Sequence, residues 1–245
     1  MYHNIFDSHA HYDDEQFDVD RDELLGSFKE KGISGIVCCG VNIETSEFAV
    51  ELSHKYDFVY SAVGFQPLNN DEYKDGVLER IKELAKDEKC VAIGEIGLDY
   101  HYEKDSREQQ LILLEKQIEL ANEMDLPIIF HDRESHEDTL NILKKHKPKG
   151  VLHCFSGSVE MAKEMKERLG LKGVAMVYEP LQNMRQYECR KDYGDVFIGI
   201  DKLFWVPTFQ LREDPNLAVL TPAELIQSMN NPEIAEPAEL NDELS

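Results

Sequence analysis

Four short polar segments, each following an apolar run, carry the side chains best suited to metal-dependent chemistry. Histidine marks three of them and a carboxylate marks the fourth; they are residues 7–11, 94–100, 129–134 and 153–158. Imidazole nitrogens and carboxylate oxygens are ligands that Zn²⁺ and Mn²⁺ accept. An ion held by such groups can activate water for bond cleavage. The pattern therefore predicts a metal-dependent hydrolase.

One residue separates His9 from His11 at the end of the first apolar run. Because side chains alternate along a strand, both imidazoles would face the same side and could chelate one ion from a single rigid element. The alternative is two unrelated histidines near a turn. This pair alone leaves both interpretations open, and the other three segments favour metal binding.

Glu95 lies in a Gly-Glu-Ile-Gly segment after an apolar run. Glycine-rich sequence is a poor start for a helix. We therefore expect a carboxylate at the end of a strand, where it could bridge two ions, as two-metal hydrolysis requires. The alternative is a surface or helix-start carboxylate.

His131 and His153 each end a strongly apolar run. A single histidine of this kind is more often a core residue bonded to the backbone, but two at the ends of consecutive predicted strands favour coordination. Arg133 could hold a phosphate oxygen through its forked guanidinium group. Its alternative role is a salt bridge with Glu134 or Glu137.

Apolar runs of four to eight residues alternate with longer amphipathic segments through the first two thirds of the chain. The predicted strands are 5–9, 33–40, 58–63, 91–96, 127–131 and 151–155, and the predicted helices are 21–31, 45–55, 71–86, 106–124, 135–145 and 158–169. Successive βα units predict an α/β fold with a parallel sheet, and eight of them would close a TIM-like (β/α) barrel. In such a barrel the strand ends meet at one mouth, which would bring the polar segments together.

The regular alternation of apolar runs and amphipathic segments ends after about residue 172. Residues 174–178 and 196–200 could be strands seven and eight, but the sequence between them is polar and weakly periodic. We expect residues 1–172 to form the barrel units that carry the metal site. Residues 173–245 would be a divergent segment that completes the same domain, with the last two units incomplete or irregular.

Acidic residues outnumber basic ones, 49 to 26, for a net charge of −23. This charge argues against broad adsorption to nucleic acid or to an anionic membrane. It is compatible with a nuclease that holds one strand end through bound ions, because those ions dominate the local field. The apolar runs are too short to span a membrane, and no signal region precedes Ile5. We therefore expect a cytoplasmic protein with no membrane partner; the sequence indicates no protein partner.

The polar segments together resemble the TatD family of metal-dependent deoxyribonucleases, over about residues 1–172. The resemblance rests on the order and spacing of Asp-Ser-His-Ala-His (7–11), Ile-Gly-Glu-Ile-Gly-Leu-Asp-Tyr (93–100) and His-Cys-Phe-Ser-Gly-Ser (153–158). It implies a (β/α)8-type barrel, two divalent metal ions (Zn, Mn or Mg) and cleavage of phosphodiesters at a DNA end. The metal ligands that it implies are His9, His11, Glu95, His131 and His153.

Two segments depart from the family pattern. The family usually has Gly-Ile-His-Pro after strand three, with a histidine that contacts substrate; here the segment contains Gln66, which can donate a hydrogen bond but carries no charge. The family also closes with Glu-Thr-Asp-x-Pro-Tyr, which this chain lacks. Asp201, after the apolar run 196–200, is the candidate for the missing aspartate, as a metal ligand or as the general base that orients water. The alternative is a turn aspartate, whose carboxylate could pair with Lys202, the next residue in the chain.

The C-terminal segment instead shows a weak resemblance to the C-terminal part of UDP-N-acetylmuramate–amino acid ligases, through residues 174–180 and Arg185. A ligase is not expected, because the chain has no phosphate-binding Gly-x-x-x-x-Gly-Lys-Ser/Thr loop. The main hypothesis is a TatD-like deoxyribonuclease in which Glu95 and Asp201 are catalytic. The alternatives are an amidohydrolase-like enzyme acting on an amide, ester or lactone, and a metal-binding barrel without turnover.

Overall fold

The computed structural model describes residues 5–102, 106–154, 159–169, 175–178, 180, 182–208 and 216–237. The chain divides into two compact units, Met1–Ser156 and Gly157–Ser245. The division predicted from the sequence, between residues 172 and 173, stays a prediction. Within the described residues, no helix has the length and apolarity needed to cross a membrane.

The first unit contains a parallel sheet whose strands are hydrogen-bonded in chain order. Its strands are β1 (Ile5–Ala10), β2 (Ile33–Cys39), β3 (Val59–Val63), β4 (Cys90–Asp99), β5 (Ile128–Arg133) and β6 (Gly150–Leu152). Its helices are α1 (Arg21–Gly26), α2 (Ile43–Lys55), α3 (Val77–Leu84), α4 (Arg107–Met124) and α5 (His136–His146). Sequential parallel strands joined by helices are the architecture of a TIM-like barrel, so the predicted fold class is confirmed.

Helix α4 shows how the apolar pattern builds the core and also sets the site. Leu114, Ile118 and Ala121 recur every three or four residues and are buried in the largest apolar cluster among the described residues. On the same helix Gln110 and Gln117 are buried two turns apart. Both are amides in an apolar core, so each needs hydrogen-bond partners.

Those partners are the backbones at the ends of two strands. Gln117 accepts from the Phe65 N–H at 2.8 Å and donates to the Phe65 carbonyl at 3.0 Å, just after β3. Gln110 makes the same pair of bonds to Asp99, the last residue of β4, at 2.8 and 2.9 Å. One helix therefore fixes two of the strand ends from which site residues project.

The second unit contains α6 (Val159–Leu169), β7 (Ala175–Tyr178), α7 (Asn183–Cys189), β8 (Lys202–Trp205), α8 (Pro222–Ile226) and β9 (Ala235–Pro237). Its three strands form a separate parallel sheet in the order β7-β8-β9. Rings of Tyr178, Tyr193, Phe197 and Trp205 pack against one another in its core. The irregularity expected near the end of the chain is therefore visible as a second sheet.

The prediction of a strand at residues 196–200 is wrong. Residues 196–199 form a turn, and Gly199 has a φ of 95°, a left-handed conformation that a strand does not accommodate. The apolar character of position 197 has another cause: the ring of Phe197 packs on Trp205, with 5.4 Å between ring centroids. Asp201 consequently precedes β8 instead of ending a strand.

Candidate metal centre

The centre of the candidate site is Glu95, whose side chain is only 3% exposed. Four imidazole nitrogens surround its carboxylate, two at each oxygen. His9 Nε2 and His11 Nε2 lie 3.3 and 3.4 Å from Oε2. His131 Nδ1 and His153 Nε2 lie 3.1 and 3.2 Å from Oε1. The structure thus brings together all five residues that the resemblance implied as ligands.

Strand alternation positions the first histidine pair, as expected from the sequence. His9 lies in β1 and His11 directly follows it, and their Nε2 atoms are 2.9 Å apart. The second pair comes from two strands. His131 lies in β5, and His153 follows β6, where its N–H donates to the Phe130 carbonyl at 3.1 Å. The rings of His9 and His153 are stacked with their centroids 3.8 Å apart.

Gly97 allows β4 to approach β5 closely enough for this cluster. It pairs with His131 across the two strands, and its φ is 152°. A Cβ at this position would lie 2.0 Å from the His131 carbonyl oxygen. Any larger residue would therefore push apart the strands that carry Glu95 and His131.

The electrostatics of the pocket favour bound cations. Burial opposes ionisation of Glu95, but its hydrogen bonds with the four imidazoles hold the pKa of this carboxyl group far below its usual range. The hydrogen bond to Glu95 raises the pKa of His11. Burial lowers the pKa of His131, yet its bonds to Glu95 and Asp99 outweigh that effect and raise the pKa overall. The pocket therefore stabilises positive charge beside an ionised carboxylate.

Two ligand groups in this cluster suit divalent ions. In each group the donor atoms lie within 4.8 Å of one another, and the groups are His9, His11, Glu95 and Glu95, His131, His153. Imidazole and carboxylate donors in threes match the ligand sets of hydrolytic metal sites. Since Glu95 belongs to both groups, the residues present fit two ions that share one carboxylate.

Three of the histidines have a partner on their other ring nitrogen. Cys39 serves two of them: its carbonyl lies 3.0 Å from His11 Nδ1, and its Sγ lies 3.7 Å from His9 Nδ1. Asp99 Oδ2 lies 3.0 Å from His131 Nε2. Such outer contacts fix the orientation of metal-binding imidazoles. Burial raises the pKa of the Cys39 thiol, which keeps it protonated.

The sequence-based assignment missed both of these residues. Asp99 carried a usable signal, because Glu95 and Asp99 are four residues apart on one strand and therefore share a face. Cys39 carried none, since its role depends on the pairing of β1 with β2.

The two residues predicted to bind substrate lie in different surroundings. Gln66, just after β3, donates from Nε2 to Glu95 Oε1 at 3.2 Å. Arg133, at the end of β5, lies over the ring of Tyr102, with its Cζ 4.8 Å from the centroid. Glu134, which the sequence offered as an alternative partner of Arg133, pairs with His101 at 2.7 Å.

Asp201 lies in the second unit, where its carboxylate accepts a hydrogen bond from Lys166 of α6. Its place at the amino end of β8 differs from the strand-end position expected from the sequence. Lys202, the neighbour considered as a partner from the sequence, pairs with Glu236 instead, at 3.4 Å. A role for Asp201 in the metal site stays a prediction.

Sequence comparisons identify a family and individual proteins that are similar to this chain. A sequence model of the family described as "TatD related DNase" matches residues 6–187. The "uncharacterized metal-dependent hydrolase YabD" of Bacillus subtilis (strain 168) is 42% identical over 163 residues, which cover 65% of this chain and 64% of that protein. The "3'-5' ssDNA/RNA exonuclease TatD" of Erwinia tasmaniensis is 35% identical over 158 residues, which cover 63% of this chain and 61% of that protein. The chain thus matches less than two thirds of the length of either relative.

Solved structures agree at the level of the fold. The crystal structure of YJJV, a TatD homologue from Escherichia coli K12, superposes with a TM-score of 0.67 at 26% identity, over 92% of this chain and 90% of that chain. An amidohydrolase from Saccharomyces cerevisiae superposes with a TM-score of 0.61 at 19% identity, over 82% of this chain and 74% of that chain, which is a likeness of fold alone.

Proposed function

Because the chain belongs to the family of TatD-related DNases, we propose that it is a metal-dependent nuclease that hydrolyses phosphodiester bonds at the end of a DNA strand. The observation that carries the proposal is the Glu95 carboxylate, with two imidazole nitrogens at each of its oxygens. The curated relatives named as single-strand exonucleases support this substrate and add RNA as a second candidate.

We infer that two divalent ions, Zn²⁺, Mn²⁺ or Mg²⁺, bind at the two ligand groups. His9 and His11 would hold one ion, His131 and His153 would hold the other, and Glu95 would belong to both. When bound, such ions supply a nucleophile from water at neutral pH and neutralise charge on a phosphoryl oxygen.

The chain's own residues would orient these groups and the substrate. Gln66 holds the Glu95 carboxylate in place through its N–H at Oε1, and the second hydrogen of its NH₂ group would donate to a phosphate oxygen. Arg133 would bind a phosphate through its guanidinium group. Tyr102, against which Arg133 packs, is 61% exposed and offers a ring on which a base can stack.

The net charge of −23 shapes how such an enzyme would hold its substrate. A polyanion is repelled by an acidic surface, so affinity must come from the ions and from a few local donors. This favours engagement of a strand end over binding along a duplex.

We keep Asp201 as the candidate for the general base, with a turn aspartate as the alternative. Its bond to Lys166 and its position before β8 favour the alternative. If Asp201 is the base, Asp201→Asn should abolish cleavage while both ions still bind. Full activity in that variant would show that Asp201 is not the base and favour its role as a turn aspartate.

The direct test uses single-stranded oligonucleotides labelled at either end, incubated with Mg²⁺, Mn²⁺ or Zn²⁺ and with EDTA as the control. We expect metal-dependent shortening from one end, and no shortening by Glu95→Gln at equal protein concentration. Absence of cleavage with every ion, in protein shown by elemental analysis to hold metal, would overturn the nuclease proposal. Turnover of an amide, ester or lactone instead would assign the same site to acyl chemistry.

A further inference from the structure

Asp99 is a fully buried carboxylate that uses both of its oxygens. Oδ2 lies 3.0 Å from His131 Nε2. Oδ1 accepts the backbone N–H groups of His101 and Tyr102 at 2.9 and 3.0 Å. One side chain therefore connects a candidate metal ligand to the turn that follows β4.

The position of this carboxylate is strongly constrained. The Asp99 backbone is held on both sides by the Gln110 amide of α4, and Asp99 pairs with Arg133 across β4 and β5. Rotation of the side chain away from His131 would break two backbone hydrogen bonds in a buried place, which is costly. The carboxylate is thus a fixed acceptor.

A fixed acceptor decides which nitrogen of His131 carries the proton. An ionised carboxylate accepts hydrogen bonds and cannot donate them. Nδ1 lies 3.1 Å from Glu95 Oε1 and can donate to that carboxylate as well. If a cation takes the place of that hydrogen bond, the proton of a neutral His131 lies on Nε2, toward Asp99, and the lone pair of Nδ1 faces the cation.

We propose that Asp99 is a positioning residue that holds His131 in the tautomer able to bind a divalent ion through Nδ1, in the group shared with Glu95 and His153. The proposal rests on the metal site of the proposed function. It assigns no contact between Asp99 and the ion or the substrate. The carboxylate also increases the basicity of the imidazole, which strengthens its bond to a metal.

The test is Asp99→Asn, which keeps size and shape. Its amide oxygen would keep the two backbone N–H groups, so its NH₂ group would face His131 Nε2 and donate to it. Nδ1 would then carry the proton at the position that the ion needs. We expect the affinity for one ion to fall by about 10- to 100-fold, as for the loss of other outer partners of metal ligands, with the second ion nearly unaffected.

Asp132→Asn is the matched control. Asp132 is also a buried carboxylate at a strand end, and it accepts from the His136 Nδ1 at 2.7 Å and from Ser135 Oγ. The Asp132→Asn variant makes the same change from carboxylate to amide on β5. The histidine that this carboxylate contacts is His136, which is outside both ligand groups. We expect it to bind both ions with wild-type affinity.

Calorimetric titration of metal-free protein with Mn²⁺ and with Zn²⁺ measures each affinity without any nuclease assay. Two-bond ¹H–¹⁵N NMR of the Zn²⁺-loaded wild type, assigned with a His131→Gln variant, reports the tautomer directly. A proton on Nε2 of His131 supports the proposal even if Asp99→Asn fails to fold, and a proton on Nδ1 overturns it. Wild-type affinity for both ions in a folded Asp99→Asn variant overturns it as well. A wild type that binds no metal would instead refute the proposed function.

Discussion

The two histidine pairs that flank Glu95 are assembled in different ways. His9, in β1, and His11, directly after the same strand, meet Oε2. His131 and His153 come from two strands and meet Oε1. The first pair is set by the alternation of side chains along β1, whereas the second depends on how β4, β5 and β6 align.

This difference extends to the groups behind each pair. The first pair rests on Cys39, a neutral residue that uses a carbonyl and a protonated thiol. In the second pair His131 rests on Asp99, which is a carboxylate. We call the His9–His11 pair the first side of the site and the His131–His153 pair the second side. We infer that the geometry of β1 does most of the positioning on the first side. On the second side, where the two histidines come from different strands, the charged Asp99 helps to hold His131.

Replacing Glu95 should affect both histidine pairs alike, because its carboxylate contacts both. Glu95→Gln keeps the shape but removes the charge that both ions would share. We expect loss of both ions and a fall in activity larger than the roughly 10- to 100-fold typical of outer partners. Elemental analysis and circular dichroism would check metal content and folding. A variant that retains both metals and full activity would contradict the bridging role.

Removing one ligand at a time should separate the two sides. His11→Ala should lose the ion on the Oε2 side, and His153→Ala should lose the ion on the Oε1 side, since each leaves its group one donor short. We expect one ion per chain in each variant and a large loss of turnover in both. Metal content measured after dialysis distinguishes the two variants from the wild type. Unchanged content in either one would remove that histidine from the site.

Cys39→Ala should have a smaller effect, on the first side only. It removes the thiol beside His9 but leaves the carbonyl that holds His11. We expect a few-fold loss of metal affinity, and a loss of about 1 kcal/mol in the free energy of unfolding from the small cavity. Calorimetry and urea denaturation measure the two quantities. A loss of metal affinity as large as that of Asp99→Asn would end the distinction between the sides.

The smallest expected effect lies in a link that helps to hold the second side. Asp138, in the first turn of α5, accepts from Tyr100 after β4 and from both nitrogens of the Arg107 fork, at 2.6 to 2.8 Å. Burial opposes its ionisation, but these bonds lower the pKa of Asp138 overall. We expect Asp138→Asn to cost about 0.5–1 kcal/mol of unfolding free energy at neutral pH.

The pH dependence of that cost has a definite sign. A carboxylate with a lowered pKa in the folded state stabilises the protein above the ordinary pKa of about 4, and the contribution disappears as the pH falls through the folded-state value. The difference between wild type and Asp138→Asn should therefore shrink at acidic pH. Urea denaturation at several pH values measures it, and a difference that grows toward acid would contradict this role.

Much of the first unit follows from sequence because its signals are local. Short apolar runs between amphipathic segments predicted all of its strands to within a few residues, and the His-x-His spacing predicted a shared face for His9 and His11. The partners behind the imidazoles are contacts between strands. Periodicity along one strand does not report them.

The second unit shows where such signals mislead. The run at residues 196–200 is apolar enough for a strand, but its aromatic residue packs in a turn and Gly199 adopts a left-handed conformation instead of an extended one. The expected position of Asp201 failed for that reason. Gln66 shows a related limit, because its contact with Glu95 depends on how Gln117 holds the neighbouring Phe65 backbone.

The two buried glutamines of α4 have a consequence for protein engineering. Gln110 and Gln117 each need one donor and one acceptor on the backbone opposite, at the ends of β4 and β3. Exchange to glutamate would remove the donor and place a charge in the core. Grafting a new loop after either strand, the usual way to change what such a barrel accepts, would therefore succeed only if the graft presents the same N–H and C=O pair to this helix or brings its own helix with it.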